Sequence, residues 1–362
     1  MKLTDLKKVD CGFFPTPLHK LNNLSKELGC NIFMKRDDLT GMGANGNKIR
    51  KLEYLVRDAL DQGCTTLMTF GGPQTNHGRQ TAAVAKKFGM RCIIVATMEE
   101  SGPNEKLSGN LLLDAILDAE VIFLDTSSID KTPGRSPDDI KADTLRLRRK
   151  VADQIIAECA EKGEKVYEMP AGGSTEIGCM GYFFAVKEIL DQLQAMDQSI
   201  DYLICPSGSN GTYAGLWLGA HYYKAPFEVI GSCVSPHDPI YVEKMAEYIN
   251  RASAKFELGV TAKAEDIHML CREYAGPAYD TPDPVTFETI YRLAHSEGLF
   301  VDPCYTGKGF TAVIKEIENG HIPQGSNVLF VHTGGLPGLY SQQHLEKFSK
   351  DLWEGRPHRI MG

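Results

Sequence analysis

The sequence has ten cysteines but no C-x-x-C pair; they lie scattered at positions 11, 30, 64, 92, 159, 179, 205, 233, 271 and 304. That scatter does not look like a disulfide framework, and it excludes ready readings as a zinc ribbon or a thioredoxin-like dithiol. No apolar run approaches the roughly eighteen residues of a membrane span. Basic charge is not in excess: 39 Lys and Arg stand against 47 Asp and Glu, a net charge of −8. This argues against broad nucleic-acid binding, which needs clustered positive charge. Internal repeats and low-complexity tracts are absent. The opening Met-Lys-Leu-Thr-Asp-Leu-Lys-Lys lacks the apolar core of a signal peptide. Free thiols without an export signal lead us to expect a reducing cytoplasm.

What is present is ordinary globular composition, 42% hydrophobic and 24% charged. At about 150 residues per domain, 362 residues suggest two domains or three. Strand-like runs at 31–35, 65–70, 91–97, 120–124 and 165–169 alternate with helical stretches, and further runs follow at 202–205, 228–234 and 327–332. From Ile49 onward Leu52, Leu55, Val56, Ala59 and Leu60 keep helical spacing. Such alternation predicts an α/β fold with parallel sheets covered by helices. The polar stretch 126–163 opens with an expected loop at 132–137 and continues as a charged helix with a solvated face.

Ligand sites in open parallel sheets lie just beyond the C-terminal ends of strands. Four such places stand out. The first is Gly43-Ala44-Asn45-Gly46-Asn47-Lys48, which runs into the 49–60 helix and puts Lys48 and Arg50 in its first turn. Positive charge there opposes the helix dipole. A bound anion or loss of the lysine's charge should compensate, and a lysine of lowered pKa is a good Schiff-base nucleophile. The plainer reading is a solvated lysine on a surface turn.

The second is Phe70-Gly71-Gly72-Pro73-Gln74-Thr75-Asn76-His77. Its glycines free the backbone to approach a ligand, and the following helix start offers N–H groups to a carboxylate. Thr75 and Asn76 could equally be N-caps, and His77 a helix-start hydrogen-bonder. The third, Pro206-Ser207-Gly208-Ser209-Asn210-Gly211-Thr212, is a phosphate cradle by type. It is neither a P-loop nor G-x-G-x-x-G, and a flexible turn is the alternative. The fourth pairs Val301–Lys308 with His332-Thr333-Gly334-Gly335, where the Thr333 hydroxyl should face the ligand crevice. Cys304 reads as a structural thiol, since no base stands near it in sequence.

A lysine, a carboxylate-type helix start, a phosphate loop and a hydroxyl at a strand end are together the parts of a pyridoxal-phosphate site. The chain resembles the D-cysteine desulfhydrase and 1-aminocyclopropane-1-carboxylate deaminase family, a fold type II (tryptophan-synthase-β-like) branch of pyridoxal-phosphate enzymes. The resemblance runs nearly end to end. It is carried by Pro15-Thr16-Pro17-Leu18, Lys35-Arg36-Asp37-Asp38, Gly46 through Glu53, Asn76-His77, Arg79 through Ala83, Ser207-Gly208-Ser209, and Asp302-Pro303 with Tyr305.

The resemblance implies two open, mostly parallel sheets flanked by helices. Residues 1–50 and 169–362 would form a larger cofactor domain and 51–168 a smaller inserted one. Lys48 matches the lysine that carries pyridoxal phosphate, and Asn76 the asparagine beside its ring. Ser207, Gly208, Ser209, Asn210, Gly211 and Thr212 match the phosphate loop. Tyr279 and Tyr305 match the two active-site tyrosines. Thr75, Asn76 and His77 would meet the substrate carboxylate. A homodimer acting on a small amino acid is implied.

Two departures bear on the substrate. The deaminase places a glutamate after the second tyrosine to hold the pyridine nitrogen; here that residue is Thr306. Desulfhydrase-type members have threonine at the His-Thr-Gly-Gly position, which is Thr333. A neutral hydroxyl leaves a weaker electron sink, suited to β-elimination of a good leaving group. The expectation is therefore D-cysteine desulfhydrase chemistry. L-Cysteate sulfo-lyase, the deaminase, a non-catalytic cofactor carrier, and a sugar-phosphate or nucleotide enzyme using only the 207–212 loop are the alternatives. Family members usually have serine where Thr75 stands, so its extra methyl is expected to narrow the pocket and stiffen χ1.

Overall fold

The structure is a computed structural model and describes residues 2–98, 107–130, 132, 135–238 and 240–354. In chain order its strands are β1 (Leu18–Lys20), β2 (Asn31–Lys35), β3 (Thr66–Gly71), β4 (Arg91–Met98), β5 (Glu120–Asp125), β6 (Val166–Met169), β7 (Tyr202–Ser207), β8 (Glu228–Cys233), β9 (His268–Leu270) and β10 (Asn327–Val331). They form two sheets. One has six strands in the order β1-β2-β10-β7-β8-β9, and the other four in the order β5-β4-β3-β6. All pairings are parallel except β1 with β2. The fold is α/β, with two parallel-dominated sheets flanked by helices.

Strands buried on both faces must be apolar throughout. Leu203, Ile204 and Cys205 of β7 are accordingly fully buried. Two strands escaped the sequence reading: β1 and β9 have three residues each, too few to show a period. The 25-residue helix Pro137–Glu161 starts where Ser136 accepts a hydrogen bond from the Asp139 amide. It buries Ala152, Ile155 and Cys159 against the second sheet and leaves most of its other faces to water. Within the expected loop at 132–137, Pro133 and Gly134 lie outside the described residues.

The core of the first sheet is completed by a helix that is apolar on every side. Residues 211–220 of Gly211–Tyr222 are all buried. It packs on the helix Glu176–Ala195 at glycine contacts: a Cβ on Gly215 would lie 2.2 Å from the Cys179 carbonyl oxygen. Only glycine permits so close an approach.

A buried ionic cluster ties β2 to these helices. Arg50 donates to Asp37 (2.7 and 2.9 Å) and to Glu188 (2.8 and 2.9 Å), and Lys35 donates to Glu188 (2.5 Å). Thr16 and Tyr182 add their hydroxyls to Asp37. Burial opposes the Asp37 charge, but Arg50 and Lys35 outweigh it and hold the carboxyl down to about 2. The first-turn charge of Arg50 is thus compensated inside the scaffold and not by a ligand. This leaves Lys48 as the cation still to be explained. The helix Lys48–Asp61 begins within this clamp, and the boundary expected at residues 50 and 51 falls inside it.

Candidate active site

A cavity of about 260 Å³ opens beyond the C-terminal ends of β3, β7 and β10. Lys48 lines it at the start of its helix. The Lys48 amide donates to Gln80 Oε1 (3.0 Å) and its Nζ to Asn47 Oδ1 (3.0 Å), while Asn47 Nδ2 donates to Thr212 Oγ1 (3.0 Å). These bonds fix the amine against the 207–212 loop. Burial, and then the nearby charge of Arg79, lower the Lys48 pKa to about 8. The amine's weakened hold on its proton thus has a geometric cause.

Thr75, Asn76 and His77 line the opposite wall. Thr75 is an N-cap, its Oγ1 accepting from the Gly78 amide (3.2 Å). Its extra methyl rests against Gly78, where a Cβ would lie only 2.5 Å away. The narrowing expected from that methyl is therefore partly absorbed by the glycine. Asn76 Oδ1 accepts from Arg79 Nη2 (3.3 Å) and Asn110 Nδ2 (3.1 Å), which leaves its amide nitrogen for the cavity. His77 is buried, and neither ring nitrogen has a hydrogen-bond partner among the described residues. Burial, with Lys48 and Lys51 nearby, holds its pKa well below the usual range, so the imidazole is neutral.

Ser207, Gly208, Ser209, Asn210 and Thr212 form the floor. Asn210 takes a positive φ of 72° and accepts from the Tyr241 hydroxyl. Ser174 Oγ donates to Ser209 Oγ (3.0 Å) and accepts from the Gly211 amide (3.2 Å). Gly211, expected in the cradle, does not line the cavity; its N–H is spent on Ser174 and on the Ser209 carbonyl. Ser207 Oγ is buried without a hydrogen-bond partner among the described residues.

Beneath this loop lies a residue that sequence reasoning missed. Lys51 is fully buried, and its Nζ donates to the Gly172 carbonyl (3.1 Å). A Cβ on Gly211 would sit 2.8 Å from that Nζ, so the amine lies at the first residue of the Gly211–Tyr222 helix. No carboxylate pairs with it among the described residues. Burial and then Lys48 lower its pKa well below the ordinary value. A buried amine at a helix N-terminus without a counter-ion is a place for an anion, whose charge would favour the protonated form. Its spacing of three from Lys48 was the available signal, because i and i+3 share a helix face.

Tyr279 and Tyr305 close the mouth with their hydroxyls hydrogen-bonded to each other and their rings edge to face at 5.7 Å. Burial first and Cys304 next push the Tyr305 phenol up, so it keeps its proton at neutral pH, while Tyr279 is 45% exposed at the rim. Tyr305 is set by Asp302, whose Oδ2 accepts from the Cys304 and Tyr305 amides (2.9 and 2.8 Å). Cys304 is buried, its pKa raised by burial and by Asp280 and Asp302. It stays a thiol, as the sequence suggested.

Thr306 turns away: its Oγ1 donates to Asp302 Oδ1 (2.6 Å) and contacts the Gly334 carbonyl oxygen (3.3 Å). It does not line the cavity, whereas Thr333 does.

Residues 9–334 match the family described as pyridoxal-phosphate dependent enzyme. The chain belongs to that family. A D-cysteine desulfhydrase of Salmonella typhi is 35% identical over 94% of this chain and 97% of its own length. A Thermotoga maritima protein provisionally named 1-aminocyclopropane-1-carboxylate deaminase is 37% identical over 92% of this chain and 98% of its own. The crystal structure of a homologue of that deaminase superimposes with a TM-score of 0.81 at 31% identity, covering 97% of this chain and 98% of the other.

Pyridoxal phosphate is therefore the cofactor, and the residues present fit it. Lys48 supplies an amine of lowered pKa for its aldehyde. The buried Lys51 amine, the Ser207 hydroxyl and the start of the Gly211–Tyr222 helix at Thr212 suit its phosphate. Gly172, at φ 71°, keeps the floor open, since a Cβ there would fall 2.0 Å from Ser209 Oγ.

Proposed function

We propose that this pyridoxal-phosphate enzyme is a carbon–sulfur lyase that eliminates the β-substituent of a small amino acid, with D-cysteine the favoured substrate. One observation carries the choice: no residue lining the cavity is acidic. The position that would hold the pyridine nitrogen with a carboxylate is Thr306, which faces Asp302, and Thr333 offers only a hydroxyl.

When bound, the cofactor supplies the electron sink for a negative charge developing at the substrate Cα. Without a carboxylate behind it that sink is weaker, which suits departure of a good leaving group. The side chains divide the remaining work. Lys51 beneath the loop, Ser207 and the backbone of Gly208, Ser209, Asn210 and Thr212 hold the phosphate, and Asn76 holds the ring. Thr75, His77 and the free amides at their helix start bind the substrate carboxylate. The Lys48 amine removes the Cα proton. Tyr305, paired with Tyr279, gives a proton to the departing sulfur. The Cβ–S bond breaks, and the released aminoacrylate hydrolyses to pyruvate and ammonia.

We place the activity in a reducing cytoplasm, in keeping with ten free cysteines of which nine are buried, and in a homodimer. No described helix is long and apolar enough to cross a membrane.

The test is a substrate panel of D-cysteine, L-cysteine, L-cysteate and 1-aminocyclopropane-1-carboxylate. D-Cysteine should give pyruvate and sulfide in equal amounts with the highest kcat/KM. Preferred formation of 2-oxobutyrate from the cyclopropane substrate would overturn this reading in favour of the deaminase. Sulfite from L-cysteate as the best reaction would move it to the sulfo-lyase. A coloured protein that makes no keto acid would be a carrier.

A further inference from the structure

Arg79 is fully buried and makes no ion pair among the described residues. Among the described residues its Nη1 has no hydrogen-bond partner, and neither does Oδ1 of Asp114, the carboxylate that influences it. Burial pushes the Asp114 carboxyl up to about 7 against the pull of Arg79, so the guanidinium is not fully matched near neutral pH. An apolar side chain of similar volume would be a cheaper scaffold here. What Arg79 does instead is hold polar groups around the cavity. Its Nε donates to Asn110 Oδ1 (2.6 Å), and its Nη2 donates to the Asn45 carbonyl (3.1 Å) and to Asn76 Oδ1 (3.3 Å).

Asn110 closes the ring. Its Nδ2 donates to Asn76 Oδ1 (3.1 Å) and to the Gln74 carbonyl (2.8 Å), and its amide donates to Gln74 Oε1 (2.8 Å). Two donors on Asn76 Oδ1 leave the amide one rotamer, with its NH₂ toward the cavity. The bond to Asn45 reaches the loop that carries Lys48.

We propose that Arg79 is a positioning residue that, with Asn110, turns the Asn76 amide nitrogen into the cofactor cavity and pins the Asn45–Asn47 loop beneath Lys48. The proposal rests on the reading of Asn76 as a cofactor contact. The rigid fork of the guanidinium serves three acceptors at fixed angles, which a lysine could not. Its charge also contributes to the lowered pKa of Lys48.

The test titrates pyridoxal phosphate into cofactor-stripped Asn76→Ala, Arg79→Met, Arg79→Lys and the Asn76→Ala/Arg79→Met double variant. Affinity and the visible band of the bound cofactor are read alongside Tm. Asn76→Ala and Arg79→Met should each weaken the cofactor about tenfold and shift its band. Arg79→Lys should not restore either. The double variant should lose much less than the sum of the two single losses, because both act largely through the Asn76 contact. Asn110→Ala, which removes the second donor to Asn76, should shift the band the same way and serves if Arg79→Met does not fold.

Additive losses in the double variant, or a lowered Tm with band and affinity unchanged, would overturn the proposal. An effect of Asn76→Ala without one of Arg79→Met or Asn110→Ala refutes the role of Arg79 alone. No effect of Asn76→Ala refutes the Asn76 reading and this proposal with it.

Discussion

At the scale of single residues, the site is a set of polar groups denied their usual partners. Lys48 is a lysine whose amine is neutral at mildly alkaline pH. Its lowered pKa means the charged form dominates below about 8 and the nucleophilic form above it. Amine-directed labelling of Lys48 in the cofactor-stripped protein should therefore rise with pH through a midpoint near 8. A midpoint near the ordinary 10.5 would show that burial and Arg79 do not act on it. Lys51→Met should leave the fold intact and weaken pyridoxal phosphate binding by about tenfold to a hundredfold, the loss of one charge-assisted contact. Unchanged affinity would remove Lys51 from the phosphate site. Lys48 and Thr333 were legible in the sequence because each closes a segment that follows a strand or opens a helix. Lys51 and Arg79 were not, since a lysine or arginine on a helix reads as solvated until tertiary packing buries it.

At the scale of elements, the chemistry comes from the ends of strands and the starts of helices. β3, β7 and β10 end at the cavity, and the helices at Lys48, Asn76 and Gly211 begin there. The Ala171–Gly173 turn and the 207–212 loop meet so closely that Gly172 must be glycine. Gly172→Ala carries about 1–2 kcal/mol for its left-handed backbone. It also drives a methyl into Ser209, so it should weaken cofactor binding more than it lowers Tm. A variant with wild-type affinity would show that the loop does not depend on this contact. The longer strands were readable from their apolar runs, and β1 and β9 were too short to show a period. The spending of the Gly211 N–H on Ser174 was not readable, because it depends on a turn remote in sequence.

At the scale of the molecule, part of the resemblance turned out to concern the scaffold. Thr16, Lys35, Asp37 and Arg50 belong to motifs that resemble the family, yet they meet Glu188 and Tyr182 in a buried cluster away from the cavity. Asp37→Asn should cost about 3 kcal/mol, because it leaves the buried Arg50 and Lys35 to share the single carboxylate of Glu188. The Asp37 carboxyl lies at about 2, below its ordinary 3.8. Its contribution to stability is therefore complete above pH 3.8 and disappears as the pH falls toward 2. Acid unfolding followed by circular dichroism should lose that component in Asp37→Asn; an unchanged profile would place the acid sensitivity elsewhere.

The account as a whole stands on which lysine carries the cofactor, since Lys48 and Lys51 lie one helical turn apart at the same site. Reducing the coloured protein with borohydride and mapping the labelled peptide decides this directly. The account predicts the cofactor's mass on Lys48 alone. A label on Lys51, or no label at all, would contradict it.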